Sequence, residues 1–317
     1  MFKELLSTMR VIALPTKTNF RGVTVREVAL FKGEFGWGEF SPFLEYGDQE
    51  SSQWLASAIE AATSTRPAPL RSSIAVNGTI PAISDGQRLK TVIESFPGCR
   101  TFKVKVGENL NEDLIRLQLL RTLRPDAAIR LDVNGLWSVD EALENLSAIV
   151  GEIGAIQYVE QPCETLEELR ELKSRADFEL KIAADEVIRK AADPFAVDLA
   201  GVADIVMLKV QPLGGITRAR AIAEHHKLPV VVSSALESAV GIHYGLELAA
   251  SITDLNYDCG LATGSLMSSD VAQLQIIDGS IALSELDIKL DGLDVAPNRY
   301  EWWKNRAMRC AEVLALS

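Results

Sequence analysis

Six polar or charged residues recur along the chain at intervals of 24 to 28 positions: Lys105, Asp132, Glu160, Asp185, Lys209 and Ser233. Each lies in an apolar, strand-like run, reading FKVKV, IRLDVNG, YVEQP, IAADEV, VMLKVQP and VVVSSAL. A charged group inside a buried strand is costly unless it is paired or metal-bound. Three acids and two lysines in register therefore point to one shared site. Asp132, Glu160 and Asp185 would converge at one rim. Three carboxylates without His or Cys suit a hard cation, Mg2+ first and Mn2+ second. The competing arrangement is a buried ionic network of these acids with the lysines, which desolvation makes a weak stability device. Glu186 is the adjacent acid, a ligand in place of Asp185 or a bridging group beside it.

Side chains alternate faces along a strand. Lys103 and Lys105 share a face opposite Phe102, Val104 and Val106. Arg130, Asp132 and Asn134 share one opposite Ile129, Leu131 and Val133, and Met207, Lys209 and Gln211 oppose Leu208 and Val210. Lysines flanking a carboxylate-held cation suit removal of a weakly acidic proton beside a carboxylate, because the cation stabilises the enediolate that forms. The base must be neutral part of the time, and a neighbouring ammonium and cation lower a lysine pKa. Lys103 is such a neighbour for Lys105.

Positioning these groups requires consecutive parallel strands. Candidate strands at 72–80, 100–107, 128–135, 155–162, 180–188, 203–212, 228–237 and 257–264 alternate with helical patterns such as 113–123, 139–150 and 165–176. Strand and helix alternating at this spacing predict parallel βαβ units. Eight strands with seven long helical connections predict an α/β fold, a (β/α)7β modified TIM barrel over residues 72–270, with functional groups at one end. The pattern alone also allows an open doubly wound sheet, but the Gly-rich G-x-G-x-x-G turn of dinucleotide-binding sheets is absent. Residues 1–71 read as antiparallel strands (TVREVALFKG, GWGEFSPF) and a helix (SSQWLASAIEAA). Residues 271–317 read as a hairpin turning at Asp278-Gly279 and an amphipathic helix, and the two ends are expected to join as an α+β cap. Trp302 and Trp303 on that helix are expected to pack.

With 317 residues the chain can bury a large core, and its net charge of −12 argues against nucleic acid or an anionic membrane as partner. No run approaches the roughly 18 apolar residues of a membrane span, and the N-terminus lacks the apolar core of a signal peptide, so a cytoplasmic protein is expected. Cys99, Cys163, Cys259 and Cys310 are scattered and imply neither zinc nor disulfides. Of three histidines, His225 and His226 fall on a predicted outer helix and His243 within another, which leaves a His-centred site poorly supported.

The segments K-V-K, D-V-N, V-E-Q-P, A-A-D-E and L-K-V-Q-P resemble the enolase superfamily, and within it the muconate-lactonizing-enzyme subgroup. More narrowly, N-F-R-G (19–22), G-W-G-E-F-S-P-F (36–43) and S-S-A-L-E-S-A-V-G (233–241) resemble the o-succinylbenzoate synthases of menaquinone biosynthesis. That resemblance implies a small carboxylate substrate and a syn dehydration of 2-succinyl-6-hydroxy-2,4-cyclohexadiene-1-carboxylate. Lys105 would be the base, Lys103 its electrostatic partner, and Lys209 the stabiliser of the enediolate on the opposite face. Ser233, Ser234 and Gly260, with Arg130, would contact substrate, although serines at a strand end also cap helices. Asn134 would orient Asp132 or a metal-bound water, and Phe20 and Arg21 would sit on a lid. The subgroup's racemases, epimerases and cycloisomerases are the nearest alternatives. Dipeptide epimerases carry an Asp-x-Asp on the last strand, where this chain reads Gly260-Leu261-Ala262-Thr263-Gly264. A barrel that only binds is a different class, opposed by the complete set of acids and lysines.

Overall fold

Capping signals written in the sequence start the helices that separate the strands. Ser138 with Glu141, and Thr165 with Glu168, form reciprocal capping boxes, while Asp85 and Asn109 cap two others. A computed structural model describes residues 2–20 and 22–316. Helix α1 (Phe2–Ser7) leads into strands β1 (Arg10–Phe20), β2 (Val23–Gly33) and β3 (Gly36–Phe40), an antiparallel sheet followed by α2 (Asp48–Thr63). Then come β4 (Ser73–Ala75), β5 (Gly78–Ile80), α3 (Gly86–Glu94), β6 (Thr101–Lys105), α4 (Leu110–Leu123), β7 (Ala128–Asp132) and α5 (Val139–Ile153). The alternation continues through β8 (Tyr158–Glu160), α6 (Leu166–Arg175), β9 (Ile182–Ala184), α7 (Glu186–Arg189), β10 (Ile205–Lys209) and α8 (Ile216–His226). It ends with β11 (Val230–Ser233), α9 (Ala239–Ser251), β12 (Ile276–Ile277), β13 (Ser280–Ala282) and α10 (Pro297–Leu316).

Strands β5 to β11 form one parallel seven-stranded sheet in sequence order. Its two edges are linked through residues 259 and 260: Ser233 bridges Gly260, and Val76 bridges Cys259, both in parallel sense. Gly260 N donates to Val232 O at 2.8 Å, and Asn77 N donates to Cys259 O at 2.9 Å. The parity expectation holds. Phe102, Val104, Ile129, Leu131 and Leu208 join the core beneath the helices, while Met207 packs with Tyr158, Ala183, Ile205 and Val231 in a separate inner cluster.

Four local expectations are corrected. The run 72–80 divides, because β4 pairs antiparallel with β13 while β5 pairs parallel with β6. The run 257–264 supplies bridges and then a 3-10 turn, Thr263–Leu266, instead of a strand. The run 180–188 stops at Ala184, since Asp185 leaves extended geometry (φ −120°, ψ −77°) and α7 begins. The β9–β10 connection holds only α7 and a short turn at Pro194–Ala196, not a long helix; Pro194 follows Asp193 there, and proline breaks a helix interior. Strand β1, the longest partner of β2, had no separate place in the sequence reading.

The two chain ends meet. Trp303 is fully buried with Phe40 and Trp54, and its N–H donates to Glu27 Oε2 at 2.8 Å. Arg306 donates to the carbonyls of Phe43 (2.8 Å) and Tyr46 (2.7 Å), fixing the loop that follows β3. Trp302 stacks edge-on against Trp303, so both tryptophans pack as expected. Among the described residues no helix is long and apolar enough to cross a membrane. All four cysteines are free and buried.

The G-W-G-E-F segment joins this unit to the parallel sheet. Gly38 must lack a side chain, because a Cβ there would lie 2.0 Å from Ala58 O. The next residue, Glu39, accepts from Ser41 Oγ (2.6 Å), Ser238 Oγ (2.5 Å) and Gly241 N (2.9 Å), and so sits on the N-terminus of α9. Arg26 donates to the carbonyls of Ser41 and Leu236 across the same seam. Burial, and then the nearby Glu39 charge, push the Glu237 carboxyl up to about 7. A carboxyl raised in the folded state favours the proton there. Stability is therefore lost as pH rises from the unfolded value near 4.5 through 7. Glu237→Gln is expected to stabilise the protein at pH 8 by about 3 kcal/mol, with the gain vanishing near pH 4. Denaturant titrations at the two pH values check it; an equal gain at both would refute the assignment.

Candidate active site

The ends of the parallel strands deliver the expected groups to one cavity. Strand pairing sets Lys105 beside Asp132 and Asp132 beside Glu160, with Lys209 beside Ser233 further round the sheet. Lys103, Lys105, Asp132, Asn134, Lys209, Ser233, Ser234 and Gly260 all line the cavity. The free space left between them is about 30 Å³, room for a water molecule or two. A wider groove of about 860 Å³ lies on the far side of Lys105 and Asn134, between Pro81, Ser84, Glu112 and Leu136.

Lysines alternate with acids through the site. Lys103 Nζ lies 2.8 Å from Glu160 Oε2 and 3.0 Å from Asp132 Oδ2, and Lys105 Nζ lies 3.3 Å from the same Asp132 oxygen. Lys209 Nζ lies 2.5 Å from Asp185 Oδ2 and 3.8 Å from Glu160 Oε1. Burial alone would raise the Asp132 carboxyl, but Lys103, Lys105 and Lys209 hold it well below the usual range. Asp185 is depressed against its burial by Lys209 and Arg189. For Lys103, burial pulls down, yet Asp132 and Glu160 hold the ammonium well above its ordinary value. Lys103 is thus a fixed cation.

Among the described residues, no three His, Cys, Asp or Glu groups stand together as a ready metal cluster, because lysines occupy the space between the acids. The acids are nevertheless unsatisfied. Asp132 Oδ1, Glu160 Oε1 and Asp185 Oδ1 are buried with no hydrogen-bond partner. Buried acceptors are rarely left so, and such oxygens can ligate a cation, although Asp185 Oδ1 also lies 3.3 Å from Arg189 Nε and Glu160 Oε1 3.8 Å from Lys209 Nζ.

Several expected roles move. Arg130 does not line the cavity. Its guanidinium donates to Gln157 Oε1 (2.6 Å), Asn77 Oδ1 (2.9 Å) and Asp258 O (2.7 Å), and stacks on Tyr158, in the layer that carries Lys103 and not Lys105. Asn134 Nδ2 donates to Glu186 Oε1 at 3.1 Å, which places it to orient Glu186. Glu186 also pairs with Arg189 at 2.6 Å. Neither Ser233 nor Ser234 caps a helix, since Ser238 caps α9. Ser234 Oγ donates to Gly260 O (2.6 Å), and a Cβ on Gly260 would lie 2.5 Å from Ser233 Oγ, which explains the glycine. Arg21 and the Phe20 side chain, expected on a lid, lie outside the described residues. His243 turns outward to Ser284 O at 2.9 Å.

Other wall residues had not been singled out. Phe43, Tyr46 and Trp54 form an edge-to-face aromatic cluster over the cavity, and Thr79 and Arg189 complete it. Gln161, in the left-handed region at φ 41°, accepts from Asp185 N (3.1 Å) and Val187 N (3.3 Å) while donating to Cys163 O (2.9 Å). It fixes where β9 ends and hence where Asp185 stands. The strain of that backbone is of the kind found at functional sites.

Two family descriptions match this chain: "Enolase C-terminal domain-like" over residues 90–291 and "Enolase N-terminal domain-like" over residues 11–62. An o-succinylbenzoate synthase of Mycobacterium ulcerans is 46% identical over 318 residues, covering 98% of this chain and 95% of that protein. This chain belongs to the o-succinylbenzoate synthase family of the enolase superfamily. Another member of that family, from Mycolicibacterium smegmatis, is 45% identical over 97% of the chain and 96% of its own length. Solved structures share the fold at lower identity. The L-Ala-D/L-Glu epimerase of Bacillus subtilis superposes with a TM-score of 0.74 at 21% identity, over 90% of this chain and 98% of its own. The muconate lactonizing enzyme of Pseudomonas putida gives 0.71 at 21% identity, over 93% and 97%. A dipeptide epimerase of Enterococcus faecalis, solved with Mg and a dipeptide, gives 0.73 at 19% identity, over 88% and 96%.

Proposed function

We propose that this enzyme dehydrates 2-succinyl-6-hydroxy-2,4-cyclohexadiene-1-carboxylate to o-succinylbenzoate, the product in the name, o-succinylbenzoate synthase, of relatives 45–46% identical over nearly the whole chain. The observation that carries the reading is two lysines, from β6 and β10, facing one cavity with acids between them. Lys105 takes the proton α to the ring carboxylate. As an ammonium, it then returns that proton to the departing hydroxyl on the same face. Lys209 faces the developing enediolate from the other side, and Lys103 holds positive charge beside Asp132 throughout.

Asp132, Glu160 and Asp185 would hold a divalent cation, Mg2+ or Mn2+, and their unpartnered oxygens support this. Bound there, it supplies the positive charge that stabilises the substrate's carboxylate as it takes up a second negative charge. In this reading Ser233, Ser234 and Gly260 face the succinyl arm. The parallel strands, with residues 259–260 as the eighth segment, make a (β/α)7β barrel spanning 72–270, capped by 1–71 and 271–317, although the β12–β13 hairpin pairs with β4.

The test is to mix purified protein with the hydroxycyclohexadiene carboxylate and Mg2+, with and without EDTA, and follow product absorbance. Rapid aromatic product that EDTA suppresses is expected. Its absence, together with α-proton exchange of N-acylamino acids in D2O, would transfer the assignment to a racemase using the same two lysines.

A further inference from the structure

Thr79 on β5, like the Trp54 indole N–H, is a polar group of the cavity wall that nothing above employs. It is 3% exposed and lines the cavity, yet its Oγ1 has no hydrogen-bond partner within the protein. By contrast, Ser234 on the opposite wall already bonds Gly260 O and Thr263 Oγ1 (2.9 Å). A β-branched side chain in a strand packs as well without a hydroxyl, and valine would fill nearly the same space. Burying an unpaired hydroxyl is costly, and native structures carry few of them. A hydroxyl kept here is accounted for by a partner that arrives with the ligand.

Its position indicates which part of the ligand. Strand pairing sets Thr79 directly beside Lys103, on the strand next to the one that carries Lys105. The hydroxyl therefore stands in the Lys103 layer, one inward-facing position below Lys105, on the side of the cavity from which Lys105 reaches in. We propose that Thr79 is a substrate contact whose hydroxyl holds the departing ring hydroxyl in place for Lys105. This rests on the dehydration reading. In that reaction the α-proton passes to Lys105 Nζ, and the C–O bond breaks with its electron pair on oxygen. The Lys105 ammonium gives that oxygen a proton, and water leaves. Because both events occur on one face, the leaving group must lie toward β5 and β6. A hydrogen bond from Thr79 restricts its rotation and turns a lone pair to the ammonium.

Thr79→Val tests this without a folding problem, since it removes a buried unpaired hydroxyl; its thermal midpoint should equal or exceed that of the wild type. The kcat for aromatic product should fall roughly five- to tenfold, the worth of one hydrogen bond. Slower expulsion gives the abstracted proton time to return. In D2O, unreacted substrate recovered at half conversion should therefore carry more deuterium at the α-carbon with Thr79→Val than with wild type. Thr79→Ser should resemble wild type in both respects. Wild-type rate and wash-out in Thr79→Val, or a slower rate with no rise in wash-out, would overturn the assignment. Wild-type protein that forms no aromatic product would overturn the dehydration reading itself, and this inference with it.

Discussion

Lys105→Ala is expected to lower kcat for aromatic product by on the order of 10⁴-fold, the upper range for a general acid–base group, because one side chain serves both proton transfers. The fold should survive. Asp132 Oδ2 keeps Lys103 at 3.0 Å when Lys105, at 3.3 Å, is removed, so no buried acid is stranded. Cation-induced stabilisation should also persist, since all three carboxylates remain. Two readouts separate a lost base from a disturbed site. Wash-in of deuterium from D2O at the α-carbon should disappear along with turnover, while the Mg2+-dependent rise in thermal midpoint stays at its wild-type size. Near-normal turnover in this variant would show that another group, with Lys209 the first candidate, removes the proton. Persistent exchange without product would instead assign Lys105 to the leaving group alone.

The placement of Lys103, Lys105, Asp132, Glu160, Asp185 and Lys209 at one end of parallel strands was legible in the sequence, because a period of two along each strand and a nearly constant strand-to-strand spacing are both linear signals. Arg130 shows the limit of that logic. Parity puts it on the inner face with Asp132, but Gln157, Asn77 and the Asp258 carbonyl hold its guanidinium, stacked on Tyr158, away from the cavity that its neighbours in register, Lys103 and Thr79, reach. Asn134 was read toward Asp132, its near neighbour in sequence. Its φ of 54° turns it instead to Glu186, two strands away. Thr79 was hidden because 72–80 reads as one continuous strand, and the break at Val76–Asn77 arises from pairing with β13, some 200 residues later. Phe43, Tyr46 and Trp54 reach the site only through the docking of β3 and α2 on the parallel sheet, a contact that no local pattern encodes. Glu39 is an intermediate case. Its motif was visible, but its task of anchoring α9 needs the coordinates of both units.

Glu160→Gln separates the two accounts of the buried acids. Glu160 is fully buried between two ammonium groups, with Oε2 bonded to Lys103 and Oε1 unpartnered 3.8 Å from Lys209. Neutralising it leaves Lys103 with Asp132, and Lys209 with Asp185, but removes the charge shared between the two pairs. Burial, with Asp132 beside it, pushes the Glu160 carboxyl up to about 7 in metal-free protein, so a neutral amide there is expected to cost little stability near pH 7 by denaturant titration, well short of the about 3–5 kcal/mol of a broken buried ion pair. The decisive comparison is with Mg2+ added. A cation that binds only the folded state stabilises it by RT ln(1 + [L]/Kd), about 2.7 kcal/mol at a hundredfold excess over Kd. Wild-type protein should show such a gain, and Glu160→Gln should lose most of it, because one of three anionic ligands is gone. Turnover should fall with it. If Mg2+ stabilises the variant as much as the wild type, Glu160 does not ligate, and the acids serve the lysines as a purely ionic lattice. If neither protein responds, the unpartnered oxygens of Asp132, Glu160 and Asp185 are filled by water, and enediolate stabilisation would have to rest on Lys209 and Lys103 alone.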